Sequence, residues 1–480
     1  MLLRLLATAA LVVLVSVQGP PATRAQDGPE MLVPNLSVDT LVSGLDTPTS
    51  FAFIGADDIL VLEKNNGQVK RVVNGSVTDT VLDLAVNFAS ERGLLGIALH
   101  PAFPATPHVF LYWTESTTGA DTNDLDATTL LGNRVDRFVW DGDGLTFDHN
   151  LIRIRAPQPI GPGESRAFGN HDGGVIAFGP DGKLYIFIGD VGRRGQMQNL
   201  QFGPFDPPSG DDAFGGPEPD DAHLTGVVLR LNPDGSAPAD NPFFAHGASV
   251  GGAVGANLQK LFSYGHRNSF GFDFDPVSGA LWLQENGDDS FSELNLVRPG
   301  MNGGWIQVAG PLSRIEQFKE IETTFGAQAL QQERWPPTNI ADSAAEARSR
   351  LFMLPAAHYA DPAFSWKWEM APAGVGFVHG RGLGPQYEND LFMGFALPVL
   401  EGGPLFRFNL TGNRQKIGVD DPRLRDRVAD NLAKHELTES ETLIIGRNFG
   451  SVTDVVTGPN GNVFVVSLTN GAIYEIFRSR

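Results

Sequence analysis

A strand–turn–strand unit recurs six times along this chain, and it limits the possible folds more sharply than any bulk property. It runs from Phe51 as FAFIGADDILVLEKNNGQVKRVV, from Ile97 as IALHPAFPATPHVFLYWTE and from Ile176 as IAFGPDGKLYIFIGD. It returns from Phe272 as FDFDPVSGALWLQENG and from Val455 as VVTGPNGNVFVVSLTNGAIYEIF, with a looser copy, VGFVHGRGLGPQYENDLFMGF, from Val375. In the Pro-Asp-Gly and Pro-Asn-Gly turns, proline sets φ and glycine accepts a positive φ. The flanking runs are rich in Val, Ile, Phe and Tyr, as half-buried sheet prefers. The 56 glycines and 33 prolines run through the whole length instead of gathering in a linker. A β-sandwich rarely needs six near-equivalent units, whereas radial repetition uses them naturally and leaves only short edges. The sequence therefore predicts an all-β, six-bladed β-propeller forming one domain over residues 36–480. Residues 134–140 and 151–156 are the expected outer strands, and 36–45 is expected to complete the last blade.

Two stretches break the rhythm. Residues 203–221, GPFDPPSGDDAFGGPEPDD, form an acidic, turn-rich loop, and 312–353 read as a partly helical insertion with Asp342 as the expected N-cap of SAAEARSRLF. Residues 1–25 have the form of a secretory signal: Arg4, an apolar run from Leu5 to Val17, then Thr23 and Ala25 before Gln26. That run is short for a bilayer span. The expectation is a protein secreted or periplasmic after cleavage, with no membrane span. A net charge of −21 disfavours nucleic acid and anionic membrane surfaces as partners. With no cysteine in the chain, thiol nucleophiles, thiolate zinc sites and iron–sulfur clusters are excluded.

The chemistry-bearing residues cluster at the ends of these units. NHDGG places His171 just before a strand, and the same hairpin ends at Asp190. A carboxylate returned to that edge can hold the imidazole tautomer and raise its basicity, as general-base catalysis requires. Read alone, such a pair is more often a structural histidine with a capping aspartate. YGHRNSFG brings Arg267 and Asn268 ahead of the next unit, and ENGDD (285–289) groups oxygen ligands beside a glycine in a manner that suits calcium. Half of such acidic loops are simply solvated.

Taken together, these motifs resemble the soluble pyrroloquinoline quinone (PQQ)-dependent sugar dehydrogenases, the glucose/sorbosone dehydrogenase family. The likeness rests on RGLLGIALHPAF (92–103), HDGGVIAFGPDGKLYIFIGD (171–190), GVVLRLNPDG (226–235) and SYGHRNSFGFDFDP (263–276). ELNLVRPGMNGGW (293–305) and TDVVTGPNGNVFVVS (453–467) continue it in order. The resemblance implies PQQ on the top face of a six-bladed propeller, with calcium bridging cofactor and protein. It implies that His171 takes the proton of a sugar C1 hydroxyl while the C1 hydride passes to the quinone. Asp190 orients His171, Arg267 polarises a quinone oxygen, and Asn268 lies beside the cofactor. Gly287 and Asp288 fall where the family offers main-chain carbonyls to calcium.

The chain departs from the family at several cofactor positions. Glu91 replaces a glutamine, Ser269-Phe270 replace Pro-Gln, and Asp288 replaces a proline. By motif alignment Glu369 and Glu401 stand for a threonine and a cofactor-binding lysine, and Ser451-Val452-Thr453 stand for Arg-x-Arg. Glutamates set against a tricarboxylate at reduced dielectric are unfavourable. Three readings follow: a PQQ- and calcium-dependent dehydrogenase of aldoses or related alcohols, passing electrons to an unknown acceptor; a metal-centred enzyme in which Glu91, Glu369, Glu401 and His171 converge on an ion; or a non-catalytic propeller that binds a glycan or protein.

Overall fold

The computed structural model describes residues 28–156, 169–191, 224–325, 337–398 and 400–479. The signal segment 1–25 and the acidic loop 203–221 lie outside them. The described strands form six sheets, and each repeat supplies the innermost strands of one of them. The result is an all-β propeller. Its innermost strands are Pro48–Gly55, Leu94–Leu99, Ile176–Phe178, Phe272–Phe274, Pro372–Phe377 and Val452–Thr457. Residues of all six line a central channel of about 440 Å³.

Sheets that pack against neighbours on both faces need apolar residues at every position, not at alternate ones. Leu184–Ile188 and Val463–Ser467 are accordingly buried throughout. Leu60, Leu62 and Val69 of the first sheet meet Leu94, Val109 and Leu111 of the second. Trp282, Leu294 and Trp366 likewise meet Phe377, Leu391 and Phe406 across another interface. Towards the axis the sheets crowd, and glycine becomes obligatory. A Cβ on Gly376 would lie 1.9 Å from the Val455 carbonyl oxygen, and one on Gly96 would lie 2.1 Å from that of Gly174.

Leu36–Ser43 pairs antiparallel with Ala472–Arg478, so the N-terminal strand completes the C-terminal sheet, as the sequence predicts. Asn133–Trp140 pairs with Leu145–Ile154; the expected strand at 151–156 is thus the second half of a longer one. In the insertion, helices span Ile315–Phe325 and Ala344–Arg350. The N-cap of the second is Ser343, not the expected Asp342: Ser343 Oγ accepts the Glu346 N–H at 3.2 Å. Asp342 instead pairs with Lys319, because the residue before the cap has its side chain free to reach the preceding helix. Among the described residues no helix is long and apolar enough to cross a membrane.

Candidate active site

His171, Asp190, Arg267, Asn268 and Glu91 converge at one end of the propeller. His171 precedes the strand Ile176–Phe178, with φ at 57°, in the left-handed region that non-glycine residues rarely occupy. Its N–H donates to Glu91 Oε2 at 2.6 Å, which pins that turn. Gly174 follows with φ at 107°, and a Cβ there would strike the Leu95 side chain at 2.5 Å. The close approach of backbone to the neighbouring sheet thus turns the histidine towards Asp190. Asp190 sits just past Leu184–Ile188, and its N–H donates to the Arg267 carbonyl at 2.8 Å.

His171 Nδ1 lies 2.5 Å from Asp190 Oδ1, and Trp305 Nε1 donates to Asp190 Oδ2 at 2.8 Å. Asp190 is fully buried. Burial alone raises a carboxyl pKa, yet the His171 ring, the Arg267 charge and the Trp305 donor outweigh it and hold Asp190 below the usual carboxylate range. His171 Nε2 makes no hydrogen bond to the described residues. Glu91 Oε2 also accepts from Asn268 Nδ2 at 3.1 Å. Among the described residues, the Oδ1 of Asn268 and both amide atoms of Asn286 are buried without a partner. Buried polar atoms without a partner call for an explanation, and a polar ligand is one.

Arg267 donates to Asp288 Oδ1 at 2.9 Å and to the Asn286 carbonyl at 3.0 Å, and its guanidinium lies 5.5 Å over the Trp305 ring. Burial pulls its pKa down, but Asp288, Asp190, Glu322 and Glu369 together raise it above the ordinary value. Gly287 makes the adjoining turn possible, since a Cβ there would lie 1.8 Å from the Ser290 carbonyl oxygen. Glu369 bonds to His435 Nε2 at 3.0 Å and is pushed up to about 7 by burial, against the pull of Lys434 and Arg267. Glu401 does not join the cluster: it is exposed, and its described ion-pair partner is Arg447 at 3.9 Å. Glu91, Glu369 and Glu401 therefore have separate partners. Among the described residues, the three-carboxylate group able to share an ion is Asp288, Asp289 and Glu322.

Sequence reasoning missed Trp305, Lys64, Glu322, Lys434 and His435. Trp305 lay inside a motif already singled out, and an indole N–H that ends a glycine-rich turn was the available signal. The others carry no local pattern, because their partners are distant in sequence.

A recess of about 340 Å³ adjoins this cluster, lined by Lys64, Ser90, Glu91, Gly173, Gly174, Phe270, Ser451 and Thr453 among others. A tricarboxylate does not fit its donor set. Lys64 and Glu91 are its charged side chains among the described residues. The Lys64 ammonium donates to the carbonyls of Ser90 at 2.9 Å and Phe88 at 3.3 Å and to Asn65 Oδ1 at 3.2 Å. Burial lowers it to about 8, with Glu91 and Asp172 opposing. Neutral Ser451 and Thr453 are among its other lining residues. Calcium at the Asp288 carbonyl does not fit either, because the Lys434 ammonium already donates to that oxygen at 2.8 Å.

One end of the propeller thus carries a buried His–Asp pair beside an arginine. The family model for glucose/sorbosone dehydrogenase matches residues 45–324, and the chain belongs to that family. It is similar to quinoprotein glucose dehydrogenase B of Acinetobacter calcoaceticus, with 30% identity over 58% of this chain and 53% of that protein. Similarity to the aldose sugar dehydrogenase YliI of Escherichia coli is 24% identity over 90% of each chain. The PQQ-bound aldose sugar dehydrogenase of Streptomyces coelicolor has the same fold, with a TM-score of 0.56 and 23% identity, covering 92% of this chain and 98% of that one.

Proposed function

We propose that this chain is an exported, six-bladed oxidoreductase that oxidises an aldose or related alcohol at C1, with a quinone as hydride acceptor and His171 as general base. The observation that carries this reading is the 2.5 Å His171–Asp190 pair with Nε2 left without a described partner. With Nδ1–H donated to Asp190, the Nε2 lone pair faces outward and can take a hydroxyl proton. Asp190 keeps its charge because Trp305 and His171 hold its two oxygens, so it stabilises the imidazolium that forms. Arg267 cannot swing away, being fixed by Asp288 and the Asn286 carbonyl, and it supplies a positive charge towards an oxygen gaining negative charge. Asn268 Oδ1 and the Asn286 amide, which have no partner among the described residues, suit sugar hydroxyls.

Dye-linked oxidation of a panel of aldoses, with quinones supplied, tests the reading. The expected result is sugar-dependent dye reduction that falls about 10³-fold in His171→Asn. Absence of turnover with every quinone, or an undiminished His171→Asn enzyme, defeats it. Export is checked by sequencing the N-terminus of the mature protein, expected at Gln26.

A further inference from the structure

Among the described residues, two cationic side chains stand among the carboxylates at the Arg267 end of the site. Ligand oxygens of Asp288, Asp289 and Glu322 all lie within 4.8 Å of one another. Arg267 neutralises Asp288. Lys434 is the second cation, and its ammonium donates to Asp289 Oδ1 at 2.9 Å as well as to the Asp288 main-chain carbonyl at 2.8 Å. Glu322 Oε1 is taken up differently, accepting from Ser290 Oγ at 2.8 Å and from the N–H groups of Asp289 and Ser290 at 3.2 Å.

Lys434 is held in place by its own loop. The Asn431 side chain accepts from the Trp368 N–H at 2.8 Å and donates to the Ala433 and Glu436 carbonyls. The His435 N–H donates to the Glu369 carbonyl at 2.9 Å, and its ring bonds the Glu369 carboxylate. This short segment is therefore fixed on both sides of Lys434, with the ammonium directed at the Asp288–Asp289 turn. The family resemblance would put calcium at the Asp288 carbonyl. Calcium takes six to eight oxygens at about 2.3–2.6 Å. An ammonium donating to the same carbonyl and to the adjacent carboxylate occupies that space and that charge.

We propose that Lys434 is a tethered cation that takes the place of a divalent metal at the Asp288 carbonyl, so that Asp288 and Asp289 each have a cationic partner without calcium. A side-chain ammonium has three donors, needs no dehydration of a divalent ion, and cannot be lost to a chelator. This inference rests on the proposed function only in placing the catalytic face here; the cation's role stands on the Lys434 contacts.

Calcium titration calorimetry on the full-length mature protein tests it, using wild type, Asp289→Asn, Lys434→Met, Lys434→Arg and the double variant Lys434→Met/Asp289→Asn. Melting curves establish that each is folded. Wild type and Lys434→Arg are expected to show no calcium site that depends on Asp289. Lys434→Met is expected to gain one calcium equivalent, and the double variant to lose it. A wild-type calcium site removed by Asp289→Asn overturns the proposal, as does a folded Lys434→Met that gains none. Should Lys434→Met fail to fold, the wild-type titration with and without Asp289→Asn decides alone. Dye reduction by the wild type in excess chelator is expected to be unchanged. If calcium binding appears in Lys434→Met while no variant oxidises sugars with any quinone, the tethered cation stands and the oxidoreductase reading falls.

Discussion

Glu91 shows how one side chain can organise a site without doing its chemistry. Its Oε2 accepts from the His171 N–H and from Asn268 Nδ2, joining two sheets and holding the left-handed turn at His171. Glu91→Gln keeps an accepting oxygen, so its stability should stay close to wild type. Glu91→Ala leaves both donors unpaired and should cost about 1–3 kcal/mol in urea unfolding, with a matching loss of turnover. Trp305 is a positioning residue of another kind. Trp305→Phe keeps a ring beneath Arg267 and removes the donor to Asp190 Oδ2, so kcat should fall about tenfold while KM holds. The kcat profile should then also shift along the pH axis, a change that a purely packing role would not produce. The sequence exposed His171, Asp190 and Arg267 through motif order. It gave no sign of Lys434 or His435, whose partners are set by where a distant loop lands.

At the level of elements, the repeats were legible because the Val-, Ile- and Phe-rich runs and the turn chemistry between them are local properties. The insertion was less so. Ser343 and Asp342 are both good capping residues by type, and backbone direction alone chose Ser343, with φ −155° and ψ 156°. Ser343→Ala should lower stability by about 1 kcal/mol in thermal or urea unfolding, whereas Asp342→Ala should leave the midpoint unchanged. Near the axis the strands tolerate less. Gly376→Ala should cost about 3 kcal/mol, because its Cβ would meet the Val455 carbonyl of the next sheet with no room to yield.

For the molecule as a whole, sheets stacked face to face bury carboxyls along with the core. Burial pushes Asp172 up to about 7, with Arg92 opposing, and Glu293 up to about 8, with Glu285 adding to the rise. Glu369 also reaches about 7. For each, the folded state holds a proton that the unfolded chain has already released. Their contribution is complete below the ordinary carboxyl range and is lost as pH rises through about 7 to 8. The melting temperature should therefore fall between about pH 5 and pH 8, and Glu369→Gln should flatten part of that fall. Asp190 runs the other way, since its pKa is lowered, and its contribution is lost only in acid.

The sequence by itself determined the six repeated units, the strand that completes the C-terminal sheet and the order of the His171, Asp190 and Arg267 motifs. These are consequences of local periodicity and turn chemistry, which any one segment carries alone. Only the tertiary structure decided the charge balance of the site. It paired Glu369 with His435, left Glu401 on the exposed rim, spent Lys64 on backbone carbonyls and brought Lys434 to the Asp288 carbonyl. Electrostatic partnership depends on distance through space and on burial, and neither is written into the spacing of residues along the chain.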